Sequence, residues 1–459
     1  MPARTGPEQL TLCDAVARLR AGELTVERYA DALLRRTAAL ESQTHAFVWL
    51  NAEHALAAAR AADRVRATGT APGLLHGVPV GVKDIIDTAG IPTESGSPVF
   101  AGRVPPRSAA VVRQLERQGG FVFGKTVTAE LAYFAPGPTR NPWNPAHTPG
   151  GSSMGSAAAV AAGMVPLALG TQTNGSVIRP AAFCGCVGLK PSAGLIGRSG
   201  IQPFSPTLDQ TGLFTRRVAD AALALSALAF TDADDPASEG ATVARLQCWP
   251  LVEEVRPPRL AAVRSPVWSQ AEPAQQQSFM QTLARLRSAG ARIEEIELPD
   301  AFNVAHAVHR AIMAGEAART LGDLQQKHRV RLSSVLNRFL DEGRDVGDAA
   351  LAGALAQRGV LQAELKRFLA DFDAIVTPPV RGEAPATLEH TGDPAFCTIW
   401  TLVGAPALTL PVGFGPRGLP LGLQMVGAFE GDAQLLSVAR WAEQAIAFEP
   451  DSIKIASHP

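Results

Sequence analysis

A lysine inside an apolar run and serines on glycine-rich turns are the residues of this chain best suited to chemistry. Lys83 closes L-L-H-G-V-P-V-G-V-K, residues 74–83, a β-branched run that reads as a buried strand. A charged lysine there costs several kcal/mol unless it pairs or gives up its proton, and a neutral lysine is a base. Asp84 and Asp87 follow at once, so a structural ion pair is the competing reading. The serines lie in T-P-G-G-S-S-M-G-S and G-T-Q-T-N-G-S-V-I-R-P, both within residues 148–180. Gly150, Gly151 and Gly155 permit a tight backbone, and Ser156 is placed to cap the alanine-rich helix that follows. Residues 165–169 read as a buried strand that ends in the turn Thr173-Asn174-Gly175-Ser176. A nucleophile at Ser176 would reach substrate there while the preceding N–H groups stabilise an oxyanion. The plainer alternative is a Gly/Ser loop that only turns the chain. No histidine is placed to activate Ser176, and a desolvated amine is the known substitute for imidazole.

The elements that must position these residues alternate between strand and helix. Helices fill residues 8–67, a further helix spans 109–118, and 121–123 is a strand. Residues 187–214 are rich in Gly and Pro and read as loop. A strand, helix, strand unit covers 260–263, 274–288 and 293–298, and residues 304–369 are mostly helical. Short strands at 374–376, 407–412 and 421–426 precede a last helix at 432–446. The expectation is an α/β fold with a mixed sheet of mostly parallel strands. A length of 459 residues would suit about three domains of ~150, but no linker composition divides the chain. One domain is expected: N-terminal helices over 1–70, a core over 71–235, a helical insertion over 236–370, and the rest of the core over 371–459.

Composition narrows the function classes. With 46% hydrophobic residues, 19% charged residues and a formal net charge of -1, the chain reads as soluble, with no footprint for nucleic acid. No apolar run approaches the ~20 residues of a membrane span and no apolar signal core opens the sequence, which makes the cytoplasm the expected location. Cys13, Cys184, Cys186, Cys248 and Cys397 are odd in number and scattered, which argues for free thiols. No cofactor and no metal are expected.

The blocks G-V-P-V-G-V-K-D, N-P-W-N-P-A-H-T-P-G-G-S-S and G-T-Q-T-N-G-S, continued by C-G-C-V-G-L-K-P-S and L-D-Q-T-G, resemble the amidase signature family. The resemblance runs in order from about residue 7 to residue 447. It implies a twisted mixed sheet of about eleven strands surrounded by helices. It also implies a catalytic triad in which Lys83 is the base, Ser152 the bridging serine, preceded by a cis peptide bond, and Ser176 the acylated nucleophile. Backbone N–H groups of Thr173, Asn174, Gly175 and Ser176 would hold the oxyanion. The expected reaction is hydrolysis of a carbon–nitrogen bond in a small amide, carbamate or urea-type substrate. A homodimer is left open. The alternative within the family is the glutamine-hydrolysing subunit of an amidotransferase, which is similar to the stand-alone enzymes and acts with partner chains.

Three positions depart from the family signature: Met154 where Gly or Ser is usual, Gln172 where an acid is usual, and Ile178-Arg179 where the arginine usually comes one place earlier. Tyr133, Phe134, Met154 and Ile178 are candidates for the substrate pocket, with core packing the competing reading, and the aromatic pair favours hydrophobic or aryl acyl groups. Other motifs compete less well. Gly119-x-x-x-x-Gly124-Lys125-Thr126 spells a phosphate loop, but a helix precedes it and a strand fills it. Gly151-x-Ser153-x-Gly155 spells a nucleophile elbow without a strand immediately ahead. His306 and His309, with Glu316 beyond, share a helical face but lack a familiar metal spacing.

Overall fold

In a computed structural model, residues 6–68, 73–239, 248–250 and 256–448 are described. The boundary expected near residue 70 falls outside them. Eleven strands form one sheet. In chain order they are β1 (Phe47–Leu50), β2 (Pro79–Lys83), β3 (Phe121–Thr126), β4 (Leu167–Gln172), β5 (Val187–Lys190), β6 (Gln210–Thr215), β7 (Arg259–Arg264), β8 (Arg292–Glu297), β9 (Ala374–Thr377), β10 (Ala407–Phe414) and β11 (Pro420–Val426). Across the sheet the order is β1-β3-β2-β4-β6-β5-β10-β11-β9-β7-β8.

The expectation of mostly parallel strands is not met. Parallel pairing joins β3, β2 and β4 on one side and β9, β7 and β8 on the other. The centre, from β4 through β6, β5, β10 and β11 to β9, is antiparallel. β5 and β6 occupy the stretch whose composition reads as loop. Their glycines are packing devices: a Cβ on Gly188 would come within 2.5 Å of Ala181 Cβ, and one on Gly212 within 2.6 Å of Val177 Cγ2. β1 interrupts the run of N-terminal helices and pairs antiparallel with β3.

Side chains alternate across the sheet. Leu167 and Leu169 of β4 join a core under the helices Ala110–Arg117, Val218–Leu228, Pro273–Ser288 and Asp432–Ile446. Ala168, between them, faces Val26–Thr44 and Met154–Ala161 on the other side. A third core lies beneath Ala305–His328, Ser334–Arg344, Asp348–Phe368 and Ala395–Leu402. Ser156, expected to cap a helix, instead lies inside Met154–Ala161 and donates to the Leu169 carbonyl at 2.8 Å. The consequence for function is positional. Lys83 ends β2, and the turn bearing Ser176 follows its parallel neighbour β4.

Candidate active site

Lys83 is fully buried, and neither aspartate beside it in sequence is its partner. Asp84 faces Lys125 at 3.6 Å and Asp87 pairs with Arg103 at 2.7 Å. Lys83 Nζ instead lies 2.7 Å from Ser152 Oγ and 2.8 Å from Thr171 Oγ1. Burial pushes its pKa well below the ordinary lysine value, and the negative charge of Asp209 only partly opposes that. Burial thus favours the neutral amine, the form able to take a proton.

Ser152 faces Lys83 with its hydroxyl and Ser176 with its backbone: the Ser152 N–H donates to Ser176 Oγ at 3.1 Å. The cis bond expected before Ser152 is absent. Among the described residues the cis peptide is Trp249–Pro250, and the chain bends ahead of Ser152 through Gly150 and Gly151, at φ 83° and 62°. Ser176 sits between β4 and the helix Ile178–Cys184. Gln172, where the family signature has an acid, still secures that helix start: Oε1 accepts from the N–H groups of Val177 at 2.7 Å and Ile178 at 3.0 Å. Its amide Nε2 donates to Thr401 Oγ1 at 2.8 Å, a donation an ionised carboxylate could not make.

The N–H groups of Asn174, Gly175 and Ser176 make no hydrogen bond to other described groups. Thr173 is engaged behind the loop. Its hydroxyl donates to Asp209 at 2.5 Å, and its carbonyl is met by His309 Nε2 at 3.0 Å. The Asn174 carbonyl accepts from Thr401 Oγ1 at 2.5 Å. These three N–H groups, with the Thr173 N–H that likewise has no partner among the described residues, can stabilise a developing negative charge on oxygen beside the Ser176 hydroxyl.

The space over Ser176 is about 20 Å³ and is lined by Tyr133, Phe134, Asn174, Arg179 and Met313 among others. It shares Ala132, Thr173 and Phe204 with a neighbouring cavity of about 160 Å³. Of the pocket candidates, Tyr133 and Phe134 are in place, packed edge to face at 5.0 Å. Met154 packs with Val127 and Ala129, and Ile178 is buried in the core beneath the long helices. Arg179 does reach the site. Its guanidinium is buried, donates to the Gly392 carbonyl at 2.6 Å and to Thr391 Oγ1 at 3.2 Å, and lies 5.4 Å from the Phe134 ring centre. Among the described residues its Nε has no hydrogen-bond partner. Burial lowers its pKa to about 10.

The competing motifs resolve into structure. Lys125 lies within β3 and donates to the Ile86 carbonyl at 2.7 Å and Thr93 Oγ1 at 2.6 Å, so the phosphate-loop pattern forms no loop. Ser153 Oγ clips β4 by donating to the Thr171 carbonyl at 3.0 Å and accepting from its N–H at 3.1 Å. His306, His309 and Glu316 go to separate partners, and no group of metal-binding side chains occurs among the described residues. The five cysteines are free thiols. No helix among the described residues is long and apolar enough to cross a membrane. Thr171, Asp209 and Thr401 are ordinary residue types that only the fold brings to the loop, and His309, weighed in the sequence only as a metal ligand, is brought there too. A weak signal exists for Asp209, which lies in the L-D-Q-T-G block.

Comparison with known proteins agrees with this scaffold. The Amidase family model matches residues 28–436. A glutamyl-tRNA(Gln) amidotransferase subunit of Gloeobacter violaceus is 34% identical, covering 94% of this chain and 96% of the relative. Its counterpart in Myxococcus xanthus is 35% identical, covering 95% and 97%. Among solved structures, the peptide amidase of Stenotrophomonas maltophilia superposes with a TM-score of 0.84 at 30% identity, covering 98% of this chain and 99% of its own. The class defined is that of the α/β amidohydrolases built on one mixed eleven-stranded sheet. This chain belongs to the Amidase family.

Proposed function

We propose that the protein hydrolyses the carbon–nitrogen bond of a linear amide, carbamate or urea-type substrate through an acyl-enzyme on Ser176. Neutral Lys83 takes a proton from Ser152, which takes one from Ser176, and Ser176 Oγ attacks the carbonyl carbon. The carbonyl oxygen becomes an oxyanion that the N–H groups of Asn174, Gly175 and Ser176 receive. Collapse breaks the C–N bond, the proton returns along the same relay to the leaving nitrogen, and water attacks the ester in a second pass. The observation that carries this reading is the buried lysine with hydroxyls and, among the described residues, no carboxylate at hydrogen-bond distance.

Tyr133 and Phe134 support an aryl or hydrophobic acyl side, while Arg179 beside them supports a substrate that brings an anionic or strongly accepting group. The test is hydrolysis of a panel containing an aryl acylamide, an aliphatic amide, a carbamate, biuret, glutamine and matched substrates with and without an acyl-side carboxylate. Wild-type turnover with loss in Ser176→Ala is the expected result, and an Arg179→Gln form should lose preference for the carboxylated member. Turnover unchanged by Ser176→Ala would overturn the assignment.

A second reading, a glutamine-hydrolysing amidotransferase component, is favoured by the names of the relatives at 34–35% identity. It expects glutaminase activity that rises sharply when partner chains are supplied, against activity of the isolated chain on a small amide.

A further inference from the structure

The long helix Ala305–His328 contributes no group to the proposed chemistry, yet one of its faces meets the site from behind. His306 Nε2 lies 2.9 Å from the Ala395 carbonyl, Met313 lines the space over Ser176, and Glu316 accepts from Ser205 Oγ at 2.6 Å and from the Thr207 N–H at 3.0 Å. Between them His309, fully enclosed, places Nε2 3.0 Å from the carbonyl oxygen of Thr173. A carbonyl can only accept, so Nε2 carries the proton and donates. Burial, which lowers the imidazole pKa to about 4, keeps the ring neutral near pH 7.

The trans peptide plane makes this contact directional. In a trans peptide the C=O of one residue and the N–H of the next point in opposite directions. Holding the Thr173 carbonyl against His309 therefore turns the Asn174 N–H away from His309. Thr401 does the same one residue on: its hydroxyl grips the Asn174 carbonyl and turns out the Gly175 N–H. Both N–H groups lack a partner among the described residues.

We propose that His309 is a positioning residue of the oxyanion site, aiming the Asn174 N–H by gripping the Thr173 carbonyl from the far side of the loop. The proposal rests on the reading of Ser176 as the nucleophile. It assigns the helical insertion a part in transition-state stabilisation as well as in shaping the pocket.

The test uses a fluorophosphonate probe, whose phosphoryl oxygen occupies the same N–H groups during attack. Limiting labelling rate and half-saturation concentration are measured for wild type, His309→Leu, His309→Gln and His309→Asn, with Ser176→Ala as the blank. His309→Leu should lower the limiting rate about 10- to 100-fold, with half-saturation moving less than about threefold. His309→Gln, which keeps an N–H at similar reach, should recover most of the rate. His309→Asn, too short to reach the carbonyl, should stay slow and serves the comparison if the Leu form does not fold. A Leu or Asn form labelled at the wild-type limiting rate, or a folded Gln form as slow as them, would overturn the positioning role. Failure of wild type to be labelled at Ser176 would instead overturn the nucleophile assignment beneath it.

Discussion

Lys83 and Lys125 end neighbouring stretches of β2 and β3, are both fully buried, and differ in what they touch. Lys125 has Asp84 within 3.6 Å, and burial lowers its pKa to about 8. Lys83 has only hydroxyls, and Asp209 supplies the negative charge that holds its pKa up. The pH dependence follows with its sign. As the proposed base, Lys83 works neutral, so labelling of Ser176 should be lost as pH falls through its depressed pKa and kept above it. Replacing Asp209 by Asn removes a charge that favours the protonated lysine, so the acid limb of the labelling profile should move to lower pH. An unmoved limb would separate Asp209 from the base. Lys83→Met should reduce labelling about 10²- to 10⁴-fold above the acid limb and abolish the limb itself. Lys83, Ser152 and Ser176 are legible in the sequence because their types are chemically telling in those motifs. Thr171 and His309 are not, because nothing about a strand threonine or a helix histidine announces a partner 88 or 136 residues away.

The elements that the sequence reveals poorly are those whose strand character is carried by small residues. β2, β4 and the unit of β7, Pro273–Ser288 and β8 show in their apolar periodicity, whereas β5 and β6 are broken by glycines that usually punctuate loops. In the fold those glycines let the helix Ile178–Cys184, which begins two residues after Ser176, lie directly on the sheet. Gly188→Ala would drive its methyl into Ala181 Cβ and towards the Val177 carbonyl. Such overpacking should destabilise the protein by about 1–3 kcal/mol in denaturant unfolding and slow Ser176 labelling in the protein that remains folded. At the same scale Thr401→Val, which releases the Asn174 carbonyl and the Gln172 amide together, should lower the labelling rate about tenfold or more and also destabilise the protein by about 1–3 kcal/mol, because it strands buried polar groups.

Across the whole molecule, buried bases tie stability to pH. Lys190 is fully buried against Gln210 Oε1, at 2.8 Å, and the Ala405 carbonyl, and burial lowers its pKa to about 7. In the unfolded chain it stays protonated to about 10.4, so between about 7 and 10 the unfolded state binds the extra proton and stability rises with pH. Lys190→Met should flatten that rise by up to ~1.4 kcal/mol per pH unit relative to wild type. Equal slopes in chemical unfolding of the two forms would contradict it. The contact between His309 and Thr173 has an evolutionary consequence. The helix Ala305–His328 lies outside the sheet and can be lengthened or exchanged while the sheet stays intact. Here the exchanged segment would carry away the clamp on the reaction centre's own backbone. Swapping it between paralogues transplants catalytic geometry along with selectivity, so chimaeras that respect the His309 register should inherit rate, and those that shift it by one residue should inherit only shape.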